Sequence, residues 1–283
     1  MKKWLLILST VFAVFSAECQ DHLNVVTFNI RVDVPSDSLN NWAYRKDNVA
    51  SQVLFHDTHI LGVQEALENQ MVDLQERLKG FAHAGVSRDS NERKGEYSAI
   101  FYDTARLQLL EQNTFWLSEN INARGIKGWD AALPRIVTWA KFNDRQTKKI
   151  FYVFNTHFDH RGKVAREESA RLILRQVKEL AGSFPVIVMG DFNAGKNDEP
   201  IKILTDKTSP LHLTDSKEIS QAPHYGPEGT FTGFQSKEIN NEDIDFIFVK
   251  NGIKVLKHAT LSQTWMGRYA SDHFAVFAKI NLP

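Results

Sequence analysis

The sequence of 283 residues is 42% hydrophobic, 24% charged and 11% aromatic, which is the composition of a globular protein. This composition excludes a disordered or collagen-like chain. A disulfide-rich chain is excluded because Cys19 is the only cysteine. Lys and Arg together number 34, as do Asp and Glu, so the chain lacks the basic excess of a non-specific nucleic-acid binder.

The first residues have the layout of a secretory signal peptide. Two lysines precede an apolar run over residues 4–15, and small residues follow it. We therefore predict a signal peptide over 1–17 and an exported protein, periplasmic or secreted, whose single domain spans 18–283. Cys19 makes lipoprotein anchoring an alternative, but Glu18 is an unsuitable residue before a lipidated cysteine. No other apolar run approaches the roughly 20 residues of a membrane span, so we predict no transmembrane segment in the mature chain.

The rest of the chain alternates strand and helix patterns, without repeats or a Pro/Gly/Ser-rich linker. Strands are predicted at 25–32, 60–63, 97–102, 107–116, 135–142, 150–156, 186–190, 244–249 and 274–280. Helices are predicted at 41–56, 66–79, 163–181 and 198–206, and residues 217–241 are predicted to form a long loop. Many strands with a few long helices indicate one domain of stacked sheets covered by helices.

Polar side chains recur where these strands begin or end. They are Asn29, Glu65, Asn155, His157, Asp159, Asp191, Asn193, Asp243, Asp245, Asp272 and His273. Each has a structural alternative when taken alone, such as a turn at Asp191 or a hydrogen-bonded core histidine at His157. Their recurrence at six sites in one chain favours a function.

The residue types indicate a reaction class. Carboxylate and amide oxygens suit a hard cation such as Mg²⁺, Mn²⁺ or Ca²⁺, and histidines add acid–base capacity near neutral pH. Hydrolysis of a phosphate ester needs this combination, because the cation offsets developing oxygen charge while a base deprotonates water. The sequence contains neither a phosphate-binding glycine motif nor the G-x-S-x-G elbow of serine hydrolases.

Seven segments resemble the motifs of the endonuclease/exonuclease/phosphatase superfamily, which has the deoxyribonuclease-I-like fold. They are TFNIR (27–31), QE (64–65), GEYSAIFY (95–102), NTHFDHRG (155–162), GDFNA (190–194), DIDFIFV (243–249) and SDHFAVF (271–277). The resemblance implies an α+β fold, a four-layer α/β/β/α sandwich of two packed, mostly antiparallel β-sheets flanked by helices. It also implies a metal-dependent phosphoesterase, with Mg²⁺ expected and Mn²⁺ or Ca²⁺ as alternatives.

The same resemblance implies roles on the metal side of the site. Glu65 is expected to be the principal Mg²⁺ ligand, and Asp272 to complete its coordination. Asn29 is expected to complete or support the metal site and to contact the substrate. Asp191 is expected to orient or deprotonate the attacking water, and Asn193 to hold that water or a phosphate oxygen.

The remaining motif residues are expected to act on the phosphate. His273 would be the catalytic histidine, oriented and made more basic by Asp245. His157 would contact the phosphate, with Glu96 as its carboxylate partner. Arg161 is either a phosphate clamp or a surface arginine, and the sequence favours neither.

Several alternatives stay open at this level. The substrate is a phosphate ester, either a diester or a monoester, and either Asp191 or His273 accepts the proton. A secreted nuclease on single-stranded RNA or DNA is one alternative, although the net charge does not support nucleic acid as a partner. A catalytically inactive phosphate-binding module is another, disfavoured because every motif position is filled. We expect a monomer.

Overall fold

The computed structural model describes residues 21–89, 94–235 and 242–283 of the chain. The expected signal peptide over 1–17 and the lipidation of Cys19 lie outside these residues and stay predictions. Within the described residues, no helix combines the length and the apolar composition that crossing a bilayer requires.

The described residues form strands and helices in an interleaved order. The strands are β1 (His22–Asn29), β2 (Ile60–Gln64), β3 (Phe81–Ala84), β4 (Ile100–Asp103), β5 (Leu107–Trp116), β6 (Ile136–Asp144), β7 (Ile150–His157), β8 (Val186–Asp191), β9 (Thr214–Asp215), β10 (Asp245–Lys250), β11 (Lys254–Leu261), β12 (Thr264–Trp265), β13 (Arg268–Tyr269) and β14 (Ala275–Asn281). The helices are α1 (Trp42–Phe55), α2 (Glu68–Arg77), α3 (Lys163–Ala181) and α4 (Glu199–Thr205), with a 3-10 helix over Pro35–Asn40.

The strands build two six-stranded sheets and a short hairpin, β12–β13. The first sheet has the order β11-β14-β1-β2-β4-β3, and the second has the order β5-β6-β7-β8-β10-β9. Among the described strand pairs, β1–β2 and β7–β8 are parallel and the others antiparallel. The expected predominance of antiparallel pairing is therefore confirmed.

Three buried apolar clusters define the layers of the fold. One lies between the sheets and includes Val25 and Ile60 from the first sheet and Phe151 from the second. Another joins the outer face of the first sheet to α1 and α2, and the third joins the outer face of the second sheet to α3 and α4. The order is helices, sheet, sheet, helices, which confirms the predicted four-layer sandwich.

Helix α3 has the bounds that its apolar spacing predicts. Its buried face includes Ala170, Ile173 and Val177, which pack on the second sheet. Asp130, on a preceding loop, accepts the backbone N–H of Ala165 at 2.6 Å and so satisfies a donor at the helix start. The helix ends at Gly182, whose φ of 53° lies in the left-handed region that favours glycine.

Strand β11 (Lys254–Leu261) is a long element that the sequence pattern did not indicate. Its pairing with β14 shifts register between Val255 and Lys257, which marks a bulge. A bulge moves the following side chains to the opposite face, so the alternation of apolar and polar residues is lost. Strand β3 and the hairpin β12–β13 were also missed, because each of their strands is four residues or fewer.

Candidate active site

Parallel strand pairs bring the expected site residues to one edge of the sandwich. In the first sheet, Asn29 at the end of β1 pairs in register with Gln64, which directly precedes Glu65. In the second sheet, His157 at the end of β7 pairs with Asp191 at the end of β8. Asp191 in turn lies opposite Asp245, the first residue of the antiparallel strand β10. The polar residues therefore meet because these strands end or begin at the same level.

Gly190 permits the close approach of β7 and β8 just before Asp191. Its φ is 148°, and a Cβ atom at this position would lie 2.0 Å from the carbonyl oxygen of Thr156. A side chain would therefore separate the strands that place His157 opposite Asp191. This contact explains the glycine at the start of the segment GDFNA.

Asn29 connects the two sheets within the site. Its Nδ2 atom donates to Oε1 of Glu65 at 3.1 Å and to Oδ2 of Asp191 at 2.9 Å. The Oδ1 atom accepts the backbone N–H of Arg31 at 3.0 Å, which fixes the orientation of the amide. Asn29 thus turns its amide nitrogen, and not its oxygen, toward the carboxylates.

Glu65 and Asp272 are the carboxylates on the first-sheet side of the site. Burial would raise the pKa of Glu65. The hydrogen bond from the Val32 N–H, the charge of His273 and the hydrogen bond from the Asn29 side chain together outweigh burial and hold this pKa below its usual value. Burial, together with the charge of Glu65, raises the pKa of Asp272. Two mutually repelling carboxylates inside a protein are a common setting for a bound cation.

Asp245 and His273 form the expected pair. Nδ1 of His273 lies 2.9 Å from Oδ2 of Asp245, and both side chains are buried. Burial would lower the pKa of His273, but Asp245 and Asp191 outweigh it and raise this pKa well above its usual value. The hydroxyl of Thr230 donates to the same Asp245 oxygen at 2.6 Å.

Asp191 lies between two imidazoles. Its Oδ2 atom is 3.4 Å from Nε2 of His157 and 3.9 Å from Nε2 of His273. Its Oδ1 atom accepts the backbone N–H of Asn193 at 2.9 Å. Burial and the nearby charge of Asp245 raise the pKa of Asp191 to about 7. A carboxyl group in this range can exchange a proton near neutral pH.

His157 occupies the side of the site away from His273. Its Nε2 atom is 3.0 Å from Nδ2 of Asn193, and its Nδ1 atom is 4.0 Å from Oε2 of Glu96. Burial and the charges of Arg135 and Arg88 hold the pKa of His157 well below its usual value, so the ring is neutral. Because the Asn193 amide donates to Nε2, the proton of the neutral ring lies on Nδ1, which faces Glu96.

Two buried arginines, Arg88 and Arg135, lie beside His157, and Arg88 was not identified from the sequence as a site residue. Arg88 forms a two-bond ion pair with Glu96, at 2.7 and 2.8 Å. Arg135 contacts Asp159 at 3.4 Å, and one of its terminal nitrogens is buried without a hydrogen-bond partner in the described part of the chain. An arginine in a sequence usually indicates the surface, so no pattern pointed to Arg88.

Arg161 does not join this group. It is exposed, and its side chain forms no hydrogen bond or ion pair with the residues that the structure describes. Only its backbone contributes, because its N–H donates to Oδ1 of Asp159 at 3.0 Å. The geometry therefore matches the surface alternative more closely than the clamp.

The donor set fits a hard divalent cation. Asp191, Asp245 and His273 offer ligand atoms that all lie within 4.8 Å of one another. Oδ1 of Asp245 is buried and lacks a hydrogen-bond partner among the described residues. This cluster differs from the expected ligands Glu65 and Asp272, but its Asp245 and His273 members already bond to each other. Carboxylate oxygens dominate both groups, as Mg²⁺, Mn²⁺ or Ca²⁺ requires.

Three residues of the site region have left-handed backbone conformations. The φ angles are 58° at Arg31, 62° at Glu65 and 46° at Asn193. Such angles are costly for residues other than glycine and are retained where the surrounding structure holds them. Each of these residues follows the end of a central strand and directs a polar side chain toward the edge of the sandwich that holds the site.

Comparison with known proteins agrees with this architecture. The sequence matches the model of the Endonuclease/Exonuclease/phosphatase family over residues 26–273. The chain belongs to this family. The superfamily and fold expected from the seven segments are therefore confirmed. Endonucleases, exonucleases and phosphatases all cleave phosphate esters, so the family agrees with the reaction class that the strand-end residues indicate.

Solved structures resemble the chain over nearly its whole length. An endonuclease/exonuclease/phosphatase from Bacteroides vulgatus has a TM-score of 0.88 and 41% identity, with 93% of this chain and 99% of that chain covered. A mannosyl-6-phosphatase from Bacteroides thetaiotaomicron has a TM-score of 0.86 and 37% identity, with 91% and 99% covered. Protein angel of Drosophila melanogaster is 25% identical over 218 residues, which cover 73% of this chain and 59% of that protein.

Proposed function

We propose that the chain is an exported, divalent-metal-dependent phosphomonoesterase that acts on a sugar phosphate. The observation that carries the reaction is the hydrogen bonding of Asn29, which joins Glu65 on one sheet to Asp191 on the other. The substrate class draws support from the mannosyl-6-phosphatase, which is 37% identical and of which the chain covers 99%. Export rests on the sequence pattern of residues 1–17.

Glu65 and Asp272 would hold the cation. The bound ion would supply positive charge that offsets the charge developing on the phosphate oxygens. Asn29 would act beside it as a positioning residue, because its amide nitrogen faces the carboxylates while its oxygen accepts the Arg31 N–H. Asn29 thereby fixes how Glu65 and Asp191 are oriented relative to each other.

Asp191 and His273 would flank the attacking water. Their facing atoms, Oδ2 and Nε2, are 3.9 Å apart, and one of the two accepts the proton. Asp245 fixes the ring orientation of His273 through the bond to Nδ1, which leaves Nε2 directed at the reacting group. The Asn193 N–H holds Asp191 in place.

His157, Asn193 and the buried arginines would bind the phosphate from the other side. The Asn193 amide nitrogen donates to His157 Nε2 and to the Phe158 carbonyl, both at 3.0 Å, and the half-buried side chain would exchange one of these bonds to hold a phosphate oxygen. Arg88 is paired with Glu96, whereas Arg135 keeps a buried terminal nitrogen without a partner among the described residues, so Arg135 is the cation that would favour a doubly charged monoester. Glu96 lies 4.0 Å from Nδ1 of His157 and offsets the charge of Arg88.

Phosphate release from mannose 6-phosphate by purified protein tests the proposal. We expect turnover with Mg²⁺ or Mn²⁺, loss of turnover in EDTA, and no turnover in the variant His273→Asn. His83→Asn is the matched control, since His83 is exposed on the outer strand β3. Single-stranded RNA and DNA, phosphoinositides and sphingomyelin are assayed in parallel. Hydrolysis of a nucleic acid but of no monoester would replace the proposal by the nuclease alternative.

The same preparation tests export. Secreted material is expected to lack about the first 17 residues. Intact-mass analysis that finds Met1 in the secreted protein would contradict the cleavage.

A further inference from the structure

Phe231 is an aromatic residue held against His273. The two ring centroids are 5.1 Å apart with an interplanar angle of 68°, an edge-to-face contact. The backbones of the same residues form an antiparallel bridge. Phe231 is 37% exposed, whereas His273 is only 6% exposed. An accessible apolar ring therefore borders an otherwise polar site.

The neighbours of Phe231 fix its position. The Thr230 hydroxyl donates to Asp245, and the N–H of Phe274 donates to the Thr230 carbonyl at 2.7 Å. The N–H of Thr232 donates to the Asp272 carbonyl, also at 2.7 Å. Both threonines are buried. The ring is thus held in a partly exposed position by its neighbours' bonds and not by its own burial.

This placement distinguishes Phe231 from other exposed aromatic side chains. Among the described residues, Tyr44, Phe55, Phe184 and Tyr225 are at least as exposed, and none is in ring contact with a residue of the site. An exposed large apolar side chain has no need of a special explanation when it is isolated. One that is rigidly fixed beside a reacting group does, because ligand sites combine apolar walls with a few convergent polar groups.

We propose that Phe231 forms the wall of the pocket for the non-reacting part of the substrate and packs against the apolar face of its sugar ring. The inference rests on the proposed function and adds a specificity residue to it. The C–H groups on one face of a sugar ring are an apolar surface that an aromatic ring can cover. Because this contact is remote from the phosphorus atom, it contributes to binding in the ground state and the transition state alike.

The test compares a substrate with a ring and one without. Steady-state constants are measured with mannose 6-phosphate and with glycerol 3-phosphate for the wild type, Phe231→Ala and Phe231→Tyr. Phe55→Ala is the matched control, since Phe55 is exposed at the end of α1 and contacts only the ring of His56 among the described rings. Melting temperatures of all variants are compared to exclude unfolding.

We expect Phe231→Ala to raise KM for mannose 6-phosphate about tenfold at nearly constant kcat, with less than a twofold change for glycerol 3-phosphate. Phe231→Tyr is expected to retain the wild-type KM. An equal loss of kcat on both substrates would overturn the proposal and assign Phe231 to positioning His273. Unchanged constants would overturn it as well.

The failure of the proposed function has a different signature. If the wild type hydrolyses neither monoester, the comparison is repeated with bis(p-nitrophenyl) phosphate, a diester with aromatic leaving groups. If Phe231→Ala then raises KM for this diester at constant kcat, Phe231 is an apolar wall of the substrate pocket. The group that packs on it is not a sugar ring in that case, which overturns the sugar assignment. A lower kcat at constant KM overturns the wall itself.

Discussion

Nδ1 of His273 and Oδ2 of Asp245 are 2.9 Å apart in a buried part of the sandwich, although the residues are 28 positions apart in the chain. Asp245 is the first residue of β10, and His273 lies two residues before β14. These strands belong to different sheets. The bond therefore ties the two sheets together at the site and leaves Nε2 of His273 facing Asp191.

The first prediction is that Asp245 and His273 act as one unit. We expect Asp245→Asn and His273→Gln each to lower kcat at least a hundredfold, because the first removes the charge that orients the ring and the second removes the ring. The double variant is expected to lose little more than the worse single variant. The measurement is kcat for all four proteins.

Asp243→Asn is the control for this cycle. Asp243 lies two residues before Asp245, but its carboxylate binds Lys217 at 2.7 Å and takes no part in the site. Wild-type kcat is expected. Losses that multiply in the double variant would show that His273 acts independently and that Asp245 is a structural acid.

A second prediction concerns Glu96, which is shared by Arg88 and His157. Glu96→Gln is expected to leave the Arg88 charge buried without its partner and to lower the free energy of unfolding by about 3 kcal/mol. The double variant Glu96→Gln/Arg88→Met is expected to recover most of this loss. Urea unfolding measures both, with the exposed Glu76→Gln as the control. Equal stability of Glu96→Gln and wild type would mean that the ion pair contributes nothing.

A third prediction concerns the pH dependence of stability. Nδ1 of His59 accepts the Asn24 N–H at 2.9 Å, and burial lowers the pKa of His59 to about 4. The unfolded chain, with a pKa near 6.5, therefore binds more protons than the folded chain between pH 6.5 and pH 4. His59 should thus contribute stability that is present above pH 6.5 and lost as the pH falls to 4, about 3 kcal/mol in all.

Urea unfolding between pH 8 and pH 4 checks this sign. His59→Gln is expected to be less stable than wild type at pH 8 and to show a shallower decline toward pH 4. A variant whose stability declines as steeply as that of the wild type would contradict the assignment of this acid sensitivity to His59.

The sequence predicted the fold well where a local pattern reflects burial. Helix α3 was predicted with its observed bounds, because its apolar spacing follows the face that packs on the second sheet. Strand β5 was predicted at its observed bounds as well. The bulged strand β11 was not, because its side chains lose their alternation at residue 257. Local periodicity therefore identifies regular elements and misses those whose regularity is interrupted.

The site was predictable to the extent that its residues follow strands. His157 and Asp191 meet because they end the neighbouring parallel strands β7 and β8, and Asn29 at the end of β1 reaches Asp191 from the other sheet. The buried arginines Arg88 and Arg45 were not predictable. Arg45, for example, donates to backbone carbonyls at 30, 31, 40 and 270, and only the folded chain brings those carbonyls together. The partners of such groups depend on tertiary contacts, which leave no periodic trace in a single sequence.

The central claim is that Glu65 holds a catalytic cation, and titration calorimetry with Mn²⁺ on wild type and Glu65→Gln tests it most directly. The substitution removes one ligand charge while keeping an oxygen that can accept the Val32 N–H, so the fold should persist. We predict saturable binding to the wild type, at least tenfold weaker binding to Glu65→Gln, and a parallel loss of phosphate release. Unchanged Mn²⁺ affinity in Glu65→Gln, or full wild-type turnover in EDTA, would contradict the account.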